Sequence, residues 1–218
     1  MRTILFVLIA SVAVAGAEVL DKQATNDLIA QLAATATQDT GLSFRFKEKK
    51  SIRMLKTPVV ETGIIAFMPP DRFRRTVESP HNTTTLCDGS VVWIIFPDDK
   101  LVERYPLARS PIVRDTLSAV SSAIEPANLE KHFDISAQKS DKDFILTLVP
   151  RSTQFRRTVD KMFLTLNSKL RPVEVVILSP AGDRSEITLS NEKRFKMTEK
   201  DFQFTPSADM KVSSPLGE

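Results

Sequence analysis

The amino-acid sequence predicts a mainly β (α+β) fold, an antiparallel sheet of about eleven strands with two helical segments. Three observations lead there. The apolar runs are short and rich in β-branched or aromatic residues, and Pro, Asp or Gly stops each one. Asp88-Gly89 is a two-residue hairpin signal between a run ending at Cys87 and one carrying Trp93, because glycine accepts the positive φ such turns need. One amphipathic helical stretch interrupts the β pattern, and it has to bury its apolar stripe on the sheet or on whatever the sheet encloses.

The chain opens on a targeting pattern. Arg2 supplies a positive charge, Ile4 to Ala15 an apolar core, and Ala15-Gly16-Ala17 a small-residue cleavage site. That core is too short for a bilayer, which needs about 20 apolar residues. Residues 1–17 are therefore expected to be a cleaved signal peptide, and 18–218 a single exported domain of about 200 residues, long enough for a sizeable core. The net charge of +3 falls to about +2 on cleavage, since Arg2 is the only charge removed. So even a balance argues against nucleic acid as the main partner. A single Cys excludes an internal disulfide. Thirteen Phe against one Trp and one Tyr make an interior with few polar handles, which suits a lipid cavity as well as an ordinary core.

A helix is predicted from Lys22 to Thr37, with Asp21 or Thr25 as cap and Leu28, Ile29, Leu32 and Ala36 on one stripe. Leu42, Phe44 and Phe46 then alternate with polar residues as a half-buried strand, and Lys47-Glu-Lys-Lys50 reads as its solvated end. Strands follow at Val59 to Phe67, Phe73 to Val77, Thr83 to Cys87, Val91 to Phe96 and Leu101 to Tyr105. Ser110-Pro111 starts the inserted helix, whose stripe is Ile112, Val113, Leu117, Val120 and Ile124, and Pro126 closes it. Strands resume at His132 to Ala137, Asp143 to Val149, Val159 to Leu166, Pro172 to Leu178 and Ser185 to Asn191. Asp201 to Pro206 ends the fold, with a frayed tail beyond it.

Little in this pattern carries catalysis. His81 and His132 lack metal-ligand spacing, and Cys87, at a strand end beside a tight turn, fits a buried hydrophobe better than a nucleophile. The acidic pairs Asp98-Asp99 and Asp141/Asp143 fall where turns are expected. No Gly-rich phosphate loop is present, and no cofactor or metal is called for. Function is expected in apolar surface instead. Alternation points Phe44, Phe46, Ile65, Phe67, Phe73, Val77, Trp93, Ile95, Leu164 and Val175 inward, together with Leu166, Ile177, Ile187 and Leu189.

The order of marks along this chain resembles the periplasmic outer-membrane lipoprotein carriers (LolA-like). Those marks are a strand after Gly63, Pro70-Asp71 followed by Phe73-Arg74, Pro80, Asp88-Gly89, an apolar strand around Trp93, and Pro97. The resemblance extends to Asp143-Phe-Ile-Leu-Thr147 and Phe202-Gln-Phe-Thr-Pro206. It implies a curved, unclosed half-barrel over an apolar concavity, with helices as a lid that includes Ile112, Val113, Leu117 and Val120. It also implies a monomeric periplasmic carrier of acylated cargo, a lipoprotein or a glycolipid, passed from an inner-membrane exporter to an outer-membrane acceptor. Phe73 is the aromatic it places against cargo. Pro69 is a departure, standing where the resembled carriers have a basic residue that ties sheet to lid. Arg72, Arg74 and Arg75 are the candidates to replace that residue. Two other classes stay open: a lipid- or partner-binding sensor on the same fold, and a thiol hydrolase using Cys87.

Overall fold

The computed structural model describes residues 17–35, 41–69, 71–109 and 129–215. The expected signal peptide, save its last residue, and the inserted helix lie outside the described residues. Eleven strands correspond one for one to those expected: β2 (Gly41–Ser51), β3 (Val59–Met68), β4 (Arg72–Ser79), β5 (Thr83–Cys87), β6 (Val91–Phe96), β7 (Leu101–Pro106), β8 (Phe133–Ser140), β9 (Asp143–Pro150), β10 (Lys161–Leu166), β11 (Pro172–Leu178) and β12 (Arg184–Phe195). Two further strands, β1 (Ala17–Val19) and β13 (Lys211–Ser213), bring the sheet to thirteen. Each is three residues long, too short to show a period. The tail expected to fray is thus tied back to the sheet. β13 also runs parallel to β7, which corrects the expectation of a wholly antiparallel sheet.

Two meanders make one curved, unclosed sheet in the order β1-β8-β9-β10-β11-β12-β2-β3-β4-β5-β6-β7-β13. The join is the antiparallel pair β12–β2, which brings 41–51 against 184–195. At the β5–β6 hairpin, Gly89 has φ +94°, and Asp88 Oδ1 accepts the N–H groups of Ser90 and Val91, both at 2.8 Å. Gly89 and Ser90 thus occupy the turn, with Asp88 bracing it from one side.

Helix α1 (Lys22–Thr35) is capped by Asp21, whose Oδ1 accepts the Ala24 N–H at 2.8 Å. Leu28, Ile29 and Leu32 form its buried stripe, as helical spacing predicts, and the fourth expected member, Ala36, lies outside the described residues. Leu28 and Leu32 join Phe133, Ala137, Leu146, Leu148, Met162, Leu164 and Leu166 in the larger core cluster, over β8–β10. Leu129, which opens the one-turn helix α2 (Leu129–His132), is in the same cluster. A second cluster over β3–β7 holds Phe67, Phe73, Cys87, Val92 and Leu107. Leu107 follows β7 directly, so the described chain breaks off near one cluster and resumes in the other.

Gly63 sits at a register shift between β3 and β4. A Cβ there would collide with the Thr76 carbonyl and crowd the Phe46 ring. Backbone cannot swing aside as a side chain can, so Gly63→Ala should cost about 1–3 kcal/mol, the range for overpacking. Urea unfolding checks this, and an unchanged midpoint would show that the bulge yields.

Candidate functional site

Between the two clusters the concave face holds a cavity of about 200 Å³. Its wall is built across the join of the meanders. Phe44 and Glu48 come from β2, Ile65 from β3, Phe73 and Arg75 from β4, Met162 and Leu164 from β10, Val175 and Ile177 from β11, and Ile187 and Leu189 from β12, with Pro172 at the start of β11. Register explains the assembly, because antiparallel partners share a face. Phe44 is opposite Ile65 and Ile65 opposite Arg75, while Leu164 is opposite Val175 and Val175 opposite Ile187.

Of the residues expected to face inward, Phe44, Ile65, Phe73, Leu164 and Val175 line the cavity, as do Ile177, Ile187 and Leu189. Phe46, Phe67, Val77 and Leu166 share that face and are buried in the core beside it. Trp93 and Ile95 do not belong to it. Phe73 pairs with Cys87 and Cys87 with Val92, so Val92 and Ile94 take the concave face and their neighbours Trp93 and Ile95 the other. There the Phe204 ring of the C-terminal segment is set edge-on to Trp93 at 5.6 Å. β6 is apolar on both faces, so alternation could not tell them apart. The expected lid residues Ile112, Val113, Leu117 and Val120 lie outside the described residues.

The same parity sorts the three arginines. Arg72 and Arg74 point away from the cavity, Arg72 to Glu199 at 2.6 Å and Arg74 to the carbonyl of Asp201. Arg75 points inward. Its Nη2 donates to Glu48 Oε2 at 2.5 Å and to Glu61 Oε2 at 2.6 Å, and its guanidinium lies 4.4 Å from the Phe46 ring centroid. Lys50 Nζ donates to Glu61 Oε2 at 2.9 Å, and Ser185 Oγ donates to Glu48 Oε1. The solvated strand end expected at 47–50 is therefore corrected at one residue: Glu48 is 6% exposed. The signal was available, since Glu48 has the parity of Phe44 and Phe46, and Arg75 that of Phe73. Apolar wall and charged floor meet along one row of side chains.

Burial alone would raise the Glu61 carboxyl, but the hydrogen bonds and positive charges of Arg75 and Lys50 outweigh it and hold Glu61 below its ordinary 4.5. A carboxylate lowered by folding adds stability that is full above its unfolded value and disappears as pH falls through the folded one. Cys87 is wholly buried, and burial pushes its thiol up, the nearby Asp71 and Asp88 adding to this against the Gly89 N–H it accepts. A thiol raised in this way is a poor nucleophile.

Fold and site define the architecture: an open β half-barrel with an apolar-walled cavity on its concave face. The family model described as "Outer membrane lipoprotein carrier protein LolA" matches residues 37–205. The chain belongs to that family. A Xanthomonas oryzae pv. oryzae protein named outer-membrane lipoprotein carrier protein is 25% identical over 178 residues, covering 79% of this chain and 81% of that protein. A protein of the same name from Xanthomonas campestris pv. campestris is 26% identical with the same coverage. A solved structure from Thermus thermophilus, described as an uncharacterized conserved protein, shares the fold. Its TM-score is 0.51 at 14% identity, covering 88% of this chain and 98% of that one.

Two measurements check the electrostatics. Stability of the native protein should fall as pH drops below 4.5, and Glu61→Gln should flatten that limb; equal pH dependence in both would assign it to other carboxylates. Cys87 should resist a thiol-reactive chromogenic disulfide at pH 8 until the protein unfolds, and prompt labelling of the native state would contradict its burial.

Proposed function

We propose that this protein is a periplasmic carrier that holds the acyl chains of lipoproteins, or of another acylated lipid, in the half-barrel cavity and shuttles them from inner to outer membrane. The observation that carries it is the wall between the two core clusters. It places apolar side chains from six strands around one space on the concave face. Family membership supports cargo of this kind, and the sequence-predicted export signal supports the compartment.

The size of the space adds a physical detail. At about 200 Å³ it falls below the roughly 300–1,000 Å³ of formed ligand pockets. An acyl chain therefore enters by spreading the half-barrel. The segment between Leu107 and Leu129 is proposed as the lid, since those two residues belong to opposite core clusters. Each buried methylene contributes about 0.8 kcal/mol, so six would supply roughly 5 kcal/mol before the cost of opening. Such a balance favours capture without preventing release, and no nucleotide needs to be hydrolysed on the carrier.

Native mass spectrometry of the protein purified from its periplasm tests this reading. An acylated mass should co-purify, and its chemistry names the cargo. Phe73→Glu, which places a carboxylate in the wall, should lose that mass while staying folded by circular dichroism. A protein that carries no acylated species, and takes none up when lipoprotein or phospholipid is added, would overturn the proposal.

A further inference from the structure

The β2–β3 hairpin outgrows the strand beside it. β4 reaches only to Ser79, opposite Thr62, whereas β12 accompanies the hairpin as far as Ser51, opposite Arg184. The tip at 52–58 is a built turn. Leu55 N–H donates to the Ile52 carbonyl at 2.9 Å, and Arg53 N–H donates to Asp183 Oδ1, also at 2.9 Å. On this braced turn Met54 is 94% exposed and Leu55 51%. Their neighbours Arg53 and Lys56 are exposed too, and among the described residues no ion pair engages either side chain.

Two apolar side chains in water, flanked by two cations without partners, call for a surface that satisfies both. The boundary of an anionic bilayer does so, because apolar side chains enter at headgroup level while cations stay among the phosphates. An apolar protein groove would take Met54 and Leu55 but leave Arg53 and Lys56 uncompensated. We propose that the β2–β3 hairpin tip docks the protein on an anionic lipid surface. At about 3.3 Å per strand residue, the turn lies roughly 15 Å along the strand from Glu48 in the cavity wall. Docking by the tip thus holds the cavity near the bilayer without sinking it. The carrier reading gives this docking a purpose, but the exposure and charge of the tip stand without it.

Flotation of the purified protein with vesicles tests the inference, using phosphatidylethanolamine mixed with phosphatidylglycerol against phosphatidylcholine alone. The protein should bind the anionic vesicles preferentially, and added salt should weaken the binding. Met54→Glu with Leu55→Glu should abolish it, and Arg53→Gln with Lys56→Gln should weaken it roughly thirtyfold, each cation contributing about fivefold. Both double variants should still take up a fluorescent fatty acid, which keeps failure of the docking apart from failure of the cavity. Indifference of the native protein to lipid charge would overturn the inference, as would full binding by the Met54/Leu55 variant. So would a Met54/Leu55 variant that binds vesicles normally but no longer collects cargo from inner membranes, because the tip would then serve a protein contact.

Discussion

The ladder between β12 and β2 is the constraint on which the rest of this structure depends. Each meander closes its own hairpins locally, but only this pairing of 41–51 with 184–195 turns them into one sheet. The cavity lies along that join. Phe44 and Glu48 stand on one side of it, Ile187 and Leu189 on the other, and neither meander alone supplies a complete wall. The two edges of the join are far apart in sequence. Such contacts form late relative to local hairpins, since the intervening chain must first give up its freedom.

The ionic floor of the cavity belongs to the same join. Glu48 and Lys50 come from β2, Glu61 from β3, Arg75 from β4 and Ser185 from β12. Burying such a cluster costs much of what its attractions return, so it is weak as a source of net stability. It is strong as a specification of alignment. A slip of one residue in β2 would turn Glu48 to the other face, leave Arg75 beside one acid instead of two, and expose Phe44 and Phe46. Apolar alternation and charge pairing therefore enforce one register.

Much of this was legible in the residues, and what was not has physical causes. The eleven longer strands announced themselves because each has a period or an apolar run bounded by turn formers, and Asp21 and Leu28–Leu32 marked α1 in the same way. The cavity wall followed from alternation wherever a strand has one polar face. It failed at β6, where Val92 and Ile94 turn one way and Trp93 and Ile95 the other, and all four are apolar. Only the register of β6 on β5, with Cys87 opposite Val92, decides which pair takes the concave face. Arg75 and Glu48 were obscured in the opposite sense. Each sits in a run of charges that reads as solvent-facing, and that reading masks a parity shared with Phe44 and Phe46 or with Phe73. The edge strands β1 and β13 carry almost no local signal, being recruited by the sheet.

Those two edge strands have a consequence of their own. An open sheet ends in rows of unpaired amides and carbonyls, which recruit strands from other molecules. Here β1 lies on β8 and β13 lies on β7, each pairing three residues. What remains outermost is too short to template a long ladder, and Lys211 and Glu18 place charges on it. A barrel escapes edge-to-edge polymerisation by closing on itself, at the expense of being able to spread. A half-barrel whose rims are hemmed by short strands of its own chain gains the same protection without closing on itself.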